Sequence, residues 1–568
     1  MDGQGLNTVE VRLPRTPELP STDYDVIVIG GGVNGTGVLR DCALRGLSAC
    51  LFERNDLAFG ASGNSSGMIH GGVRYLTSSP KVTRLSCLDS GYIQRIAPHL
   101  LFRIPFLMPV HRSIGSRVFL QLVDAFFGAY DSFQPLKRGQ PHTRLTPDQV
   151  RTIEPGLVGD IVGAVTFDEW GIDGARLCTA NAVDAHERGA HVRVHTTVEG
   201  IDHDPASRRV LGVRWRDRIT GITGSSSARV VVNASGAWAP LTATFADLPP
   251  TAARVRPGKG IHIVYDRRLS NYAVVAQSID NRQVFLEPWE NVSVLGTTDT
   301  DYYGDLDDVV ATSDEVRYLV EAISRVFPSV RKARAIHTYA GVRPTLHTYG
   351  PVPDKLSREH EIIDHAAHGV AGLYSMIGGK LASYRIFAEQ MTDIVAAQLG
   401  CDKPGSTHLL ALPGGDEPVD PVELARACGL DRVAARRLVY RHGSRAREVG
   451  EGIRAAGRTP RFVCTCEAIT EQEVRYVIRH EFVRDFADLS RRTRLGLGPC
   501  GGLHCALRCG AILADELGWT PSEGRRQALR FLLDASRTRA VALGSAQARQ
   551  EALLLATIRA QVGWGDEP

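Results

Sequence analysis

The chain has 568 residues, 43% of them hydrophobic and 23% charged, with a net charge of +3 and a pI near 8.3. That length exceeds one ordinary core and predicts roughly two to four globular domains. The charge bias is too small and too dispersed for nucleic-acid binding, and no run of about 18 apolar residues offers a membrane-spanning helix.

Residues 1–22 lack an apolar segment of secretory type and carry Pro14, Pro17 and Pro20, which predicts a flexible tail rather than an export signal. Order begins at Tyr24. Val26 to Gly30 read as a buried parallel strand, and Gly30, Gly32 and Gly35 then form G-x-G-x-x-G at the start of a helix running to about Arg45. In such a unit the glycines permit a tight turn, close approach of a pyrophosphate and close helix–strand packing, and the helix N-terminus faces the phosphates. A second strand, Ala49–Phe52, ends in Glu53, 18 positions after Gly35, where a carboxylate accepts from an adenosine ribose hydroxyl. Strand, fingerprint, helix, strand and terminal acid in this order predict a dinucleotide site.

The following stretch, Arg54 to Leu76, is glycine- and serine-rich and closes on His70-Gly71-Gly72-Val73-Arg74-Tyr75. Such residues suit a backbone that passes close to a bulky ring system. Residues 24–76 resemble the flavin site of FAD-dependent glycerol-3-phosphate dehydrogenases, which belong to the D-amino-acid-oxidase-like flavoprotein superfamily. The resemblance continues to about residue 400. It takes in Asp173-Gly174-Ala175-Arg176-Leu177 before a helix at 178–188, Val231 to Trp238, Lys259-Gly260-Ile261-His262 and Gly296-Thr297-Thr298-Asp299. It continues in Ala340-Gly341-Val342-Arg343-Pro344 and Ile377 to Arg385.

What the resemblance implies can be set beside the residues. The fold expected is α/β, with a Rossmann-like FAD-binding domain interleaved with a β-rich substrate domain and followed by a small helical iron–sulfur domain. The FAD-binding segments would be about 23–100, 170–250 and 335–400 within an oxidoreductase core at 23–410. Contacts to FAD are implied for Gly30, Gly32, Asn34, Gly35, Glu53, Arg54, Ser62, Ser66, His70, Val198, Ser235, Gly236, Gly378, Gly379, Lys380 and Leu381. For His195–Val198, a contact with the adenine and a plain sheet strand remain open readings. Residues 255–300 hold three β-rich segments, Ile261–Tyr265, Val284–Leu286 and Val292–Leu295, as a substrate domain would.

The implied reaction is oxidation of sn-glycerol 3-phosphate to dihydroxyacetone phosphate, a base taking the C2 hydroxyl proton while hydride passes to flavin N5. A phosphate monoester calls for clustered cations, with arginine preferred for its fork of donors. At the family's positions stand Arg74, Arg343, Arg358 and Lys380, with Tyr75 as a hydrogen-bond donor. His262 is the expected base, since an unperturbed imidazole titrates near neutrality, and catalytic roles are expected for His262, Arg343 and Lys380. His70 is placed against the flavin. Thr298 and Asp299 have two readings, shaping the site or ending a strand, and the second is preferred.

The 11 cysteines are unevenly used: six are scattered through residues 1–430 and five fall within 464–509. The scattered ones read as reduced thiols of a cytoplasmic chain. Cys464-x-Cys466 and, after 33 intervening residues, Cys500-x4-Cys505 form two close pairs, and the spacer carries Val474, Val477, Ile478 and Phe482 at helical intervals. Four convergent thiolates suit [2Fe–2S] or zinc. Residues 459–515 resemble the [2Fe–2S] domain of bacterioferritin-associated ferredoxin type found in the large subunit of the anaerobic dehydrogenase. The segment 471–497 also resembles the helical C-terminal domain of the aerobic, cysteine-poor dehydrogenases, and the cysteines decide between the two. Residues 411–458 read as a helical connector after Pro413-Gly414-Gly415, and 516–568 as C-terminal helices, basic through Arg525, Arg526, Arg530, Arg537 and Arg539. Those arginines suggest a solvated face, or a peripheral contact with an anionic membrane or a partner subunit.

Together these readings predict an FAD-dependent dehydrogenase that relays electrons through [2Fe–2S] to a quinone or a partner redox subunit, with no nucleic-acid partner. The rival readings are another flavoenzyme of the superfamily acting on a 2-hydroxy acid or amine, and a zinc-stabilised C-terminal docking module.

Overall fold

The computed structural model describes residues 23–77, 80–350, 359–457 and 459–562; the N-terminal tail and Arg358 lie outside them. Asp23–Ile29 is the central strand of an eight-stranded sheet and pairs in parallel with both Ala49–Phe52 and Thr223–Asn233. Thr223–Asn233 pairs in turn with Leu373–Gly378, and Ala49–Phe52 with His191–Arg193. Ala49–Phe52, Leu373–Gly378 and the C-terminal halves of Asp23–Ile29 and Thr223–Asn233 are buried, which is why Val26 to Ile29 form an unbroken apolar run. Helices Val33–Arg45, Gly174–Glu187 and Tyr384–Leu399 pack together on one face. The antiparallel strands Thr196–His203 and Val210–Asp217 extend the sheet through Thr223–Asn233, and their apolar residues help build the core on its other face.

A second, ten-stranded sheet is threaded between these segments. Val255–Tyr265 lies against Val292–Gly296 on one side and Ala335–Leu346 on the other, while Leu101–His111 pairs with Ile161–Ile172. Ala335–Leu346 therefore belongs to the substrate-side sheet. The third segment of the cofactor sheet begins with His360–Asp364, not near residue 335 as the sequence suggests. Alternation does not separate the two kinds of strand here, since both sheets are covered on both faces over most of their length.

Beyond residue 420 the chain is helical. Pro421–Cys428, Arg432–His442 and Ala446–Ala455 share a small core around Leu424, Leu438 and Val449. A short hairpin, Phe462–Cys464 with Ile469–Thr470, leads into Glu471–His480, Phe486–Thr493, Ala506–Leu517, Pro521–Arg539 and Ser545–Val562. This part is clamped to the cofactor domain by charge: Arg176 pairs with Glu481, and Arg484 with Asp217 at 2.6 Å. Among the described residues no helix is long and apolar enough to cross a membrane.

Candidate functional site

A cavity of about 430 Å³ runs from the turn after the first strand to the edge of the second sheet. Its floor is the expected dinucleotide cradle, and Gly30, Gly32 and Asn34 line it. Gly35 does not. A Cβ there would overlap the Gly30 carbonyl, so its task is to let the helix lie against the strand. Ser62 Oγ accepts from the Val33 N–H at 2.9 Å, at the helix N-terminus. Asn34 Oδ1 is buried with no hydrogen-bond partner among the described residues.

Glu53 sits at the cavity wall with each carboxylate oxygen on a backbone donor: the Gly31 N–H at 2.7 Å and the Asn55 N–H at 2.7 Å. Burial raises its pKa. A carboxylate oxygen carries two lone pairs, so each retains acceptor capacity for a ribose hydroxyl. Arg54, Val198, Ser235 and Gly236 complete this end. At the other end Gly378 and Gly379, at φ +81° and +88°, turn the chain so that Lys380 and Leu381 face the cavity. A cradle of glycines, a helix N-terminus and a terminal acid fits the pyrophosphate and ribose of FAD.

The substrate-side wall is made by Ser66, His70, Tyr75 and Arg343. His70 Nδ1 accepts from the Gly72 N–H at 3.0 Å, which leaves the proton of the neutral ring on Nε2. The Lys380 ammonium stands 4.0 Å from the centre of the Tyr75 ring. Arg74 lies in the single turn Val73–Tyr75. Arg343 is held by Asp299 Oδ1 at 3.1 Å, Thr297 Oγ1 at 3.0 Å and the Thr298 carbonyl at 3.3 Å. The expectation that Thr298 and Asp299 only end a strand is therefore corrected: Asp299 aims the guanidinium. A carboxylate two strands from an arginine in a β-rich stretch gives no local signal of that pairing.

His262 is also corrected. It is absent from the cavity wall and is 2% exposed, stacked on Tyr339 with ring centres 4.7 Å apart. Burial and then the nearby Arg343 charge push its pKa down to about 3. Its Nε2 instead meets Ser66 Oγ at 2.8 Å, so Ser66 is the member of the pair that faces the cavity.

The cysteines converge in an open chain of sulfur contacts, Cys464 to Cys505, Cys505 to Cys500 and Cys500 to Cys466. Cys500 is held down at about 4, first by the hydrogen bond with Cys505 and then by the His504 and Gly502 N–H groups. Cys464 is also lowered, by Cys505 and by the Glu467 N–H. Burial pushes Cys466 up to about 11. Cys509 is buried and its thiol is pushed up by desolvation.

Of the arginines expected to form an exposed basic face at 525–539, several are engaged. Arg526 pairs with Glu523, Arg537 with Asp308, and Arg539 is buried against Glu551.

Comparison with known proteins agrees with this geometry. The family model described as FAD dependent oxidoreductase matches residues 25–385. The model of the C-terminal domain of alpha-glycerophosphate oxidase matches residues 405–524, unbroken across the expected connector and the expected ferredoxin-like domain. The chain is 35% identical over 516 residues to a component of the anaerobic glycerol-3-phosphate dehydrogenase of Escherichia coli (strain K12), covering 90% of this chain and 92% of that one. It is 31% identical over 543 residues to a glycerol-3-phosphate dehydrogenase of a Synechocystis species, covering 91% and 97%. Among solved structures, the glycerol-3-phosphate dehydrogenase from Bacillus halodurans complexed with FAD superposes with a TM-score of 0.72 at 26% identity, over 92% of this chain and 96% of that one. The chain is an FAD-dependent enzyme and belongs to the FAD dependent oxidoreductase family, in its glycerol-3-phosphate dehydrogenase branch.

Proposed function

We propose that the protein oxidises sn-glycerol 3-phosphate to dihydroxyacetone phosphate and passes the electrons through a [2Fe–2S] cluster on Cys464, Cys466, Cys500 and Cys505 to a quinone or a partner redox subunit. The observation that carries the substrate is the cationic end of the cavity. Arg343, its fork fixed by Asp299 and Thr297, and Lys380, 4.0 Å from the centre of the Tyr75 ring, both line the cavity. A phosphate dianion needs several such donors, whereas a carboxylate needs one arginine. The names of the relatives point to the same substrate. Arg74 and Arg358 are further cations for the phosphate in this reading.

FAD, when bound, supplies the two-electron acceptor. Gly30, Gly32, Asn34 and Ser62 hold its pyrophosphate, Glu53 its ribose, and Gly378 to Leu381 meet its ring end. The proton of the substrate C2 hydroxyl goes to Ser66 Oγ as Ser66 gives its own proton to His262 Nε2. His262 is a weak base first because it is buried and then because of the nearby Arg343 charge; a phosphate on Arg343 offsets only the second of these. Lys380 offers positive charge at the ring.

The cluster, when bound, supplies a one-electron exit. Support for it is chemical: four thiols in contact, two of them acidified, with the N–H groups of Glu467, Gly502 and His504 turned to sulfur. Peripheral membrane contact, suited to a quinone acceptor, finds support on the helix Ser116–Asp131. Its outer face exposes Val118, Phe119 and Leu122, with Ile114 just before it and Arg112 and Arg117 alongside.

The test is an anaerobic absorbance titration with sn-glycerol 3-phosphate, with iron, sulfide and zinc determined on the same sample. Bleaching of the flavin bands with two irons per chain supports the reading. Bleaching by a hydroxy or amino acid but not by the phosphate ester overturns the substrate, and stoichiometric zinc overturns the relay.

A further inference from the structure

The described contacts of the cofactor cavity extend into the C-terminal helices. Asp56 follows Glu53, Arg54 and Asn55, all three of which line the cavity, but Asp56 itself points away from it and is fully buried. Both of its carboxylate oxygens are taken by the helix Phe486–Thr493 and nothing else among the described residues donates to them. Arg492 grips it with both ends of its fork, Nη1 to Oδ2 at 2.8 Å and Nη2 to Oδ1 at 2.6 Å, and Arg491 Nε reaches Oδ2 at 2.6 Å. Arg492 has a buried side chain and is itself tied by Nε to the Glu481 carbonyl at 2.9 Å.

The same helix reaches a second wall of the cavity. His195 precedes Thr196, Thr197 and Val198, which face the cofactor, and its Nε2 lies 2.9 Å from Asp488 Oδ2. Arg484, just before the helix, donates to the Val194 carbonyl at 3.2 Å. The two wall segments are stitched to each other by backbone bonds from Thr196 N–H to the Glu53 carbonyl and from His195 N–H to the Asn55 carbonyl. At its far end the helix stops on Arg494, whose Nε faces Glu467 Oε2 at 3.4 Å; Glu467 is the residue whose N–H is turned to the Cys464 sulfur.

We infer that the helix Phe486–Thr493 is part of the FAD site, with Arg491 and Arg492 as positioning residues that act through Asp56 on the Glu53–Asn55 wall. A charge pair buried to this degree has no solvent to fall back on, so losing one partner releases the loop. Binding energy is reciprocal between coupled sites: if docking of the helix tightens FAD, FAD tightens docking of the helix, and with it the segment around Cys464. The inference rests on FAD filling this cavity, which the flavin content of the unaltered protein tests separately.

The experiment measures FAD dissociation from the full chain by recovery of free-flavin fluorescence, for the wild type, Arg492→Gln, Asp56→Asn and the double variant. Each single change is expected to weaken FAD at least tenfold, and the double variant by no more than the worse single one, because both remove the same clamp. Wild-type affinity in either single variant overturns the inference, as do effects that multiply in the double variant. Since a buried pair also supports folding, hydrogen exchange of the wild type with and without FAD decides independently. Removal of FAD is expected to speed exchange within 486–493, and unchanged exchange there overturns the coupling even if the variants fail to fold.

Discussion

Ser66 Oγ and His262 Nε2 are 2.8 Å apart, and Ser66 alone of the two faces the cavity. The imidazole that the sequence offers as a base is one hydroxyl removed from the substrate. A buried histidine stacked on Tyr339 is held rigidly, so a relay of this kind gains in orientation what it gives up in basicity. Ser66→Ala and His262→Gln should each lower kcat by about 10²-fold, and the double variant little further, because a proton relay acts as a unit. Steady-state rates of the three variants check this; effects that multiply would mean that the two residues act separately.

The same burial has a pH signature. His262 is pushed from 6.5 to about 3, so the unfolded chain takes up its proton first as pH falls. The stabilisation is complete above 6.5 and is lost as pH drops toward 3. At about pH 5 the loss is about 2 kcal/mol. Urea midpoints of the wild type and His262→Gln, measured at neutral pH and at about pH 5, should therefore converge on acidification.

Glu287 runs the opposite way. Both of its oxygens are buried without a hydrogen-bond partner among the described residues, and burial raises its pKa to about 8 from 4.5. Here the folded protein keeps the proton while the unfolded chain releases it. Stability is thus greatest below 4.5 and declines through the window up to 8. At neutral pH the deficit is on the order of 3 kcal/mol. Glu287→Gln should flatten that decline; a chemical-denaturation series across the window checks it, and parallel curves for the two proteins would refute it.

Gly260 lies two positions from Gly258, the cross-strand partner of Arg343, and a Cβ at Gly260 would overlap the guanidinium. Gly260→Ala should turn the fork away from the cavity and raise KM for the phosphorylated substrate about tenfold, the worth of one charge-assisted contact. Flavin content should stay at the wild-type level. An unchanged KM would show that Arg343 does not bind the phosphate.

At the cysteines, Cys500→Ser removes the most acidified thiol. Iron content should fall while glycerol 3-phosphate still bleaches the flavin anaerobically, since the proposed relay places the cluster after the flavin. Loss of substrate bleaching in a protein that retains FAD would contradict that order.

Local features of this molecule were legible in its sequence. The turn Gly30 to Gly35 and the frame Gly378-Gly379-Lys380 announce themselves because their constraints come from the backbone of neighbouring residues. The paired spacing of Cys464, Cys466, Cys500 and Cys505 foretold their convergence for the same reason, with two helices between them. What was not legible depends on distant partners. Burial of His262 is set by Ser66, Gly296 and Tyr339, which come from three separate stretches. Asp299 meets Arg343 only because the stretch 292–301 and the strand 335–346 both lie against the strand 255–265, and Asp56 meets Arg492 across 436 positions. Such pairings leave no periodic trace.

The threading of the cofactor sheet also sets a timetable. The strand Leu373–Gly378 lies one further out and is made later still, and Asp23 itself pairs with Ser227, 204 positions along the chain. At a synthesis rate of about 5–20 residues per second, the first strand waits roughly 10–40 s for that partner to leave the ribosome. Through that interval its apolar run Val26 to Ile29 is open to chaperones and to wrong neighbours, so yield in the cell should respond to chaperone supply more than to small gains in native stability.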